Sequence, residues 1–154
     1  MTPPAVPTTD DYPIELTAPD IAPYKAGNTG IDYITTFDSG QAGPHVAITA
    51  VVHGNEVCGA ITLDWLMKLG VRPKQGRLSL GFMNVAAYSR FDPAMPTASR
   101  FVDEDFNRLW DTATLDGPRD SIELRRAREV RPFIDTVDRL LDIHSMQHAT
   151  GALM

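Results

Sequence analysis

A chain of 154 residues with 43% apolar and 22% charged residues has the make-up of one globular domain, long enough for a modest core. Its formal net charge of −6, with no basic run of five or more, excludes the basic footprint of a nucleic-acid binder. A single cysteine, Cys58, excludes an internal disulfide framework and fits a reducing compartment.

Residues 1–29 hold six of the twelve prolines and almost no periodicity. They read as an extended or partly disordered arm ahead of an α/β domain spanning 30–154. The N-terminus lacks a positive region followed by an apolar one, so no secretory leader is expected, and the predicted location is cytoplasmic. No run of about 18 apolar residues occurs, so no membrane span is predicted. IDYITTF (31–37) predicts a first strand, and DSGQAGP (38–44) a turn. HVAITAVV (45–52) is a nearly continuous apolar run rich in β-branched residues, as in a strand buried on both faces. HGNE follows it directly, and then a helix. Val57, Ile61, Trp65 and Leu69 predict the buried stripe of that helix, and Gly70 its stop.

RLSLGFM (77–83) predicts another strand. Residues 84–120 are long and irregular, with Pro93, Pro96, Gly117 and Pro118, and a loop of that length is often functional. Asp120 is expected to cap a helix from Ser121, with Glu123 completing a capping box. The inner face of that helix would be Ala127, Val130, Ile134 and Val137, with a kink at Pro132. RLLDI (139–143) gives a short strand that ends at His144. Strands alternating with helices place the chain in the α/β class, with a mixed, largely parallel sheet flanked by helices.

Candidate chemistry sits where those strands end. His53 and Glu56 follow the buried strand, and ligands of open α/β sheets gather at the carboxyl ends of strands. Gly54 allows a sharp turn there. A three-residue step brings both side chains toward one point, and imidazole nitrogen and carboxylate oxygen both bind zinc. The pair alone is common by chance; it reads equally as a helix-start glutamate near a positive helix end, beside a satisfied histidine. His144, at the end of a second apolar strand, completes two His and one Glu, a ligand set of several hydrolytic zinc sites. Asp142 lies two residues earlier on the same strand face, where it could orient an imidazole. In DEDFNRLW (103–110), Asn107 and Arg108 are adjacent, and Arg100 precedes them. Arginine offers a planar fork for carboxylates, or pairs on the surface with Asp103, Asp105 or Asp111.

HGNE, then DFNR, then DIHS, in this order and spacing, resemble the succinylglutamate desuccinylase/aspartoacylase family, a branch of the zinc carboxypeptidase-like hydrolases. The resemblance runs from about residue 31 to 148. It implies one zinc ion per chain held by His53, Glu56 and His144. It implies that Asn107 and Arg108 bind a substrate carboxylate, and that Arg100 (less strongly Arg90) polarises the scissile carbonyl or stabilises its oxyanion. The implied reaction is hydrolysis of the amide bond in a small anionic N-acyl amino acid. The family's general base is a glutamate C-terminal of the last ligand, whereas SMQHATGALM, after His144, contains no acid. The chain therefore reads as the N-terminal half of a catalytic domain. A sheet cut there would expose an edge, so the chain is expected to associate with a second copy or to be marginally stable. Two other readings stand beside the deacylase: a carboxypeptidase acting on peptide C-termini, and a metal-binding module without catalysis. Glu104 reads as a loop charge, His148 as a tail histidine, His45 as structural and Cys58 as a small buried residue.

Overall fold

The computed structural model describes residues 14–146. Four strands form one mixed sheet in the order β1-β3-β2-β4. They are β1 (Ile34–Asp38), β2 (His45–Ala50), β3 (Arg77–Phe82) and β4 (Arg139–Ile143). β2 runs parallel to both β3 and β4, and β1 lies antiparallel on the outer side of β3. Helix α1 (Val57–Leu69) joins β2 to β3. The long segment after β3 holds two short helices, α2 (Val85–Tyr88) and α3 (Thr112–Leu115), before α4 (Ile122–Ile134) leads into β4.

The apolar run of β2 serves two cores, one on each sheet face. Ala50, with Val57, Ala60 and Leu63 of α1 and Leu78, Leu80 and Phe82 of β3, builds the first. Ala47, with Leu124, Ala127, Val130 and Phe133 of α4 and with Phe106, Leu109 and Leu115, builds the second. A strand covered on both sides must be apolar at nearly every position, which accounts for the nearly continuous apolar pattern of 45–50, where the polar His45 and Thr49 are themselves buried. Part of the N-terminal segment also packs here. Ile21 is buried, Tyr24 stacks on Phe82 at 5.7 Å, and the Tyr88 hydroxyl donates to the Pro19 carbonyl at 2.8 Å.

Several details differ from the sequence reading. The first strand is 34–38 rather than 31–37. β2 stops at Ala50 because Val51 takes φ +56°, a left-handed conformation costly for a β-branched residue. The bend remains tied to the end of β3: the Ala50 carbonyl accepts from the Met83 amide, and the Val51 carbonyl from the Asn84 amide. In α1, Trp65 and Leu69 are exposed, whereas Gly59, Ala60 and Leu63 are buried with Val57. Steps of four residues drift about 40° each around a helix of 3.6 residues per turn, so the three steps from Val57 to Leu69 leave the buried face. Gly70 does end α1, in the left-handed conformation at φ +68°. Pro132 lies in α4, which runs only two residues beyond it, so the donor lost at proline falls in the last turn. His148 lies outside the described residues.

Candidate metal centre

Two strand ends and one helix start build the site. β2 delivers His53 past the Val51 bend, Glu56 stands immediately before α1 with its side chain free of any capping bond, and β4 delivers His144. One donor atom from each of the three lies within 4.8 Å of the others. Gly54 matters through close packing rather than through a turn, since its φ is not positive. A Cβ there would come within 2.3 Å of the Ala87 carbonyl carbon and 2.4 Å of the Ser99 carbonyl oxygen. The Gly54 amide donates to the Arg100 carbonyl at 3.1 Å, which draws the arginine loop onto the histidine.

Each imidazole is held at both nitrogens. His53 Nδ1 lies 2.8 Å from Glu56 Oε1, and its Nε2 lies 3.0 Å from Asp105 Oδ1. His144 Nδ1 lies 2.8 Å from Glu56 Oε2, and its Nε2 lies 2.6 Å from Asp142 Oδ2. The Thr49 hydroxyl donates to the other Asp142 oxygen at 2.7 Å, across the register that pairs Thr49 with Asp142. Both rings thus turn Nδ1 toward one buried carboxylate and Nε2 toward an outer aspartate. A metal-ligating histidine is oriented in this way, its second nitrogen donating to a carboxylate that fixes the tautomer and raises ligand basicity.

The buried carboxylate suits a cation. Glu56 is 3% exposed, and among the described residues its Oε2 meets no polar partner besides His144 Nδ1 at 2.8 Å. A carboxylate buried between two rings in this way calls for a cation or a proton. Two neutral imidazoles and one carboxylate are a donor set zinc accepts, leaving a coordination position for water or substrate. The electrostatics agree. Burial alone would raise the Glu56 pKa, but His144 and then His53 outweigh it and hold the group below 4.5. Asp142 and then Glu56 push His144 up to about 10, against the opposing effect of burial. Asp105 is also held low: burial raises it, while His53, the Asn107 amide and Arg100 outweigh that.

Of the sequence candidates, Arg100 reaches the cluster. Its Nη2 lies 3.1 Å from His53 Nε2 and 3.7 Å from Asp105 Oδ2, and its Nη1 lies 3.9 Å from Glu56 Oε1. Asn107 and Arg108 sit exposed on a 3-10 turn, Phe106–Arg108, immediately after Asp105. Among the described residues neither side chain bonds to the three donors, and neither does Arg90, exposed after α2. Asn107 lines a cavity of about 310 Å³ with Val52, Met83, Phe106 and Trp110. His45 stands at the opposite end of β2, buried between Ser79 and the Thr136 carbonyl, so its role is structural. The sequence alone offers Asp105 only as a surface partner for arginine. The signal was present in the DFNR motif, whose first residue lies between the arginine and the asparagine.

Among known proteins, the model of the succinylglutamate desuccinylase/aspartoacylase catalytic domain matches residues 42–153. A rat N-acyl-aromatic-L-amino acid amidohydrolase (carboxylate-forming) is 34% identical over 123 residues, covering 71% of this chain and 35% of that protein. The chain thus spans about a third of the length of the curated relatives it matches. A succinylglutamate desuccinylase/aspartoacylase structure from Rhodobacter sphaeroides is 27% identical with a TM-score of 0.55, over 75% of this chain and 34% of that one. Murine aminoacylase 3 is 29% identical with a TM-score of 0.51, over 68% of this chain and 36% of that one.

Proposed function

Because the chain belongs to the succinylglutamate desuccinylase/aspartoacylase catalytic-domain family, we propose that it carries the zinc site of a hydrolase that cleaves the amide bond of N-acyl amino acids. The observation behind this reading is the convergence of His53 Nδ1, Glu56 and His144 Nδ1, with an aspartate behind each ring. Zinc held there would supply Lewis acidity toward an amide carbonyl. Arg100, beside Glu56 and His53, would face negative charge developing on the carbonyl oxygen. Asn107 and Arg108, exposed next to Asp105, would take the substrate carboxylate, with arginine as the bidentate partner. Asp105 and Asp142 would hold the two rings in the tautomer that offers Nδ1. The amidohydrolase relative supports the N-acyl amino acid as substrate class.

The test sets an N-acetyl amino acid beside a short peptide with a free C-terminus, each with zinc-loaded and with chelated protein. Amine release from the N-acyl compound alone, abolished by chelation, is the expected result. Preferential peptide cleavage would replace the deacylase with a carboxypeptidase. Retained zinc without turnover of either would leave a metal-binding module.

We also propose that two copies associate through β4. Among the described residues this strand is paired only on its β2 side, and Leu140 and Leu141 are 52% and 57% exposed on its two faces. An unpaired apolar edge is a template for another strand. Sedimentation is expected to show concentration-dependent association that Leu141→Lys weakens; a wild-type monomer at every concentration would refute it.

A further inference from the structure

Glu123 is fully buried, yet it makes no ion pair with any described residue. The sequence assigns it to a capping box, but the N-cap of α4 is Ser121, whose hydroxyl accepts from the Leu124 amide at 3.0 Å. Glu123 turns inward instead. Its Oε1 accepts from the Val102 amide at 2.6 Å and from Asn84 Nδ2 at 3.1 Å. Its Oε2 accepts from the amides of Asp103 at 3.0 Å and Glu104 at 3.3 Å. Three consecutive backbone donors of a segment outside any helix or strand therefore end on one carboxylate.

The loop answers in kind. Asp103 Oδ2 accepts from the Ile122 amide at 2.7 Å, and Glu104 Oε1 accepts from the Ser121 hydroxyl at 2.5 Å. Loop 102–104 and the first turn of α4 are locked to each other. Asn84, the fourth donor, follows β3, and its own amide bonds to Val51 two residues before His53.

A buried carboxylate is a costly way to fill a core. Removing the charge from water is unfavourable, and an apolar side chain of similar volume would pack as well. What an apolar residue cannot do is gather three amides. Burial by itself would raise the Glu123 pKa; the Val102 and Asp103 amides and Asn84 outweigh that and keep it below 4.5, so the group works as an anion. The two residues that flank the gathered amides most closely in function are Arg100 and Asp105, and both touch His53 Nε2.

We propose that Glu123 is a positioning residue of the metal centre: by collecting the amides of residues 102–104 it places Asp105 behind His53 and Arg100 beside Glu56. The proposal rests on the zinc reading given above. The coupling is indirect, running from Glu123 through the loop backbone to Asp105 and then to His53. A group acting through that route shares its effect with Asp105, whereas a group that only packs does not.

The experiment measures zinc affinity of the 154-residue chain by competition with a chromophoric chelator, for wild type, Glu123→Gln, Asp105→Asn and the double variant. Glutamine keeps the shape but turns an NH2 toward backbone donors. Glu123→Gln is expected to weaken zinc binding by about 10-fold or more, the range for outer partners of metal ligands. Asp105→Asn should add little further in the Glu123→Gln background, since both changes remove one contact. A lowered Tm with wild-type affinity, or full additivity, would overturn the proposal. If Glu123→Gln does not fold, amide exchange of the wild-type chain decides. Zinc should slow exchange at residues 102–104, because coupling is reciprocal, and unchanged exchange there would overturn it. Wild-type chain that takes up no zinc would show, before any variant is made, that the metal reading itself is wrong, and this inference falls with it.

Discussion

Zinc stoichiometry near one per chain is expected for the wild-type protein, lost at micromolar metal in His53→Ala, Glu56→Gln and His144→Ala. The size of the effect follows from the ligand count. Four-ligand zinc sites hold the metal with about 10–16 kcal/mol, so one ligand accounts for about 2.5–4 kcal/mol, or roughly two to three decades in affinity. The three variants should differ in the metal-free state. His144→Ala frees Glu56 Oε2 and Asp142 at a half-exposed position, so the fold should tolerate it. Glu56→Gln places a neutral amide between two rings, where the 3% exposed carboxylate had both as neighbours. His53→Ala empties a buried position and leaves Glu56 and Asp105 without their shared partner, so its melting temperature should fall furthest. Elemental analysis after dialysis checks the first claim, and thermal melts in chelator check the second. Full zinc retention in all three variants would mean that the metal sits elsewhere.

How much of this site the sequence shows depends on whether its contacts are local. HGNE directly after a β-branched run announces a strand end carrying two polar ligating types, and RLLDIHS announces another. Parallel pairing of β2 with β4 then brings the two ends together. Asp142 was legible for the same reason: residues two apart share a strand face. Asp105 and Glu123 were not, because their partners lie 52 and about 20 residues away in irregular backbone. No periodicity describes a loop whose amides end on a helix side chain. The misread stripe of α1 has a different origin. Trp65 and Leu69 are apolar but lie beyond the face that meets the sheet, and hydrophobicity does not say which apolar residues a neighbour covers. The bend at Val51 was hidden too, since a valine in left-handed backbone is imposed by surrounding hydrogen bonds and contradicts its own preference.

Zinc binding should tighten as pH rises, and the metal-free site dictates the sign. His144 is raised from 6.5 to about 10 by Asp142 first and Glu56 second. Its contribution to the stability of the metal-free chain is therefore fully present below pH 6.5 and is lost as pH rises from there through about 10. Glu56 is depressed below 4.5, so its contribution is present above that value and is lost as pH falls through its folded-state value. Between pH 6.5 and 10 the metal-free chain thus loses stability. Over the same window zinc gains, because it competes with the His144 proton for Nδ1. Each proton released on binding changes affinity by one decade per pH unit, so about 100-fold tightening is expected between pH 6 and 8. Competition titrations across that range measure it, and calorimetry in two buffers of different ionisation enthalpy counts the proton. The increase in melting temperature on adding zinc should grow over the same interval. Asp142→Asn gives the decisive comparison: it removes the leading cause of the raised His144 pKa, so the slope should flatten above about pH 7. A flat wild-type profile would show that the ring already offers Nδ1 unprotonated, and the contact between His144 and Glu56 would then not be what zinc displaces.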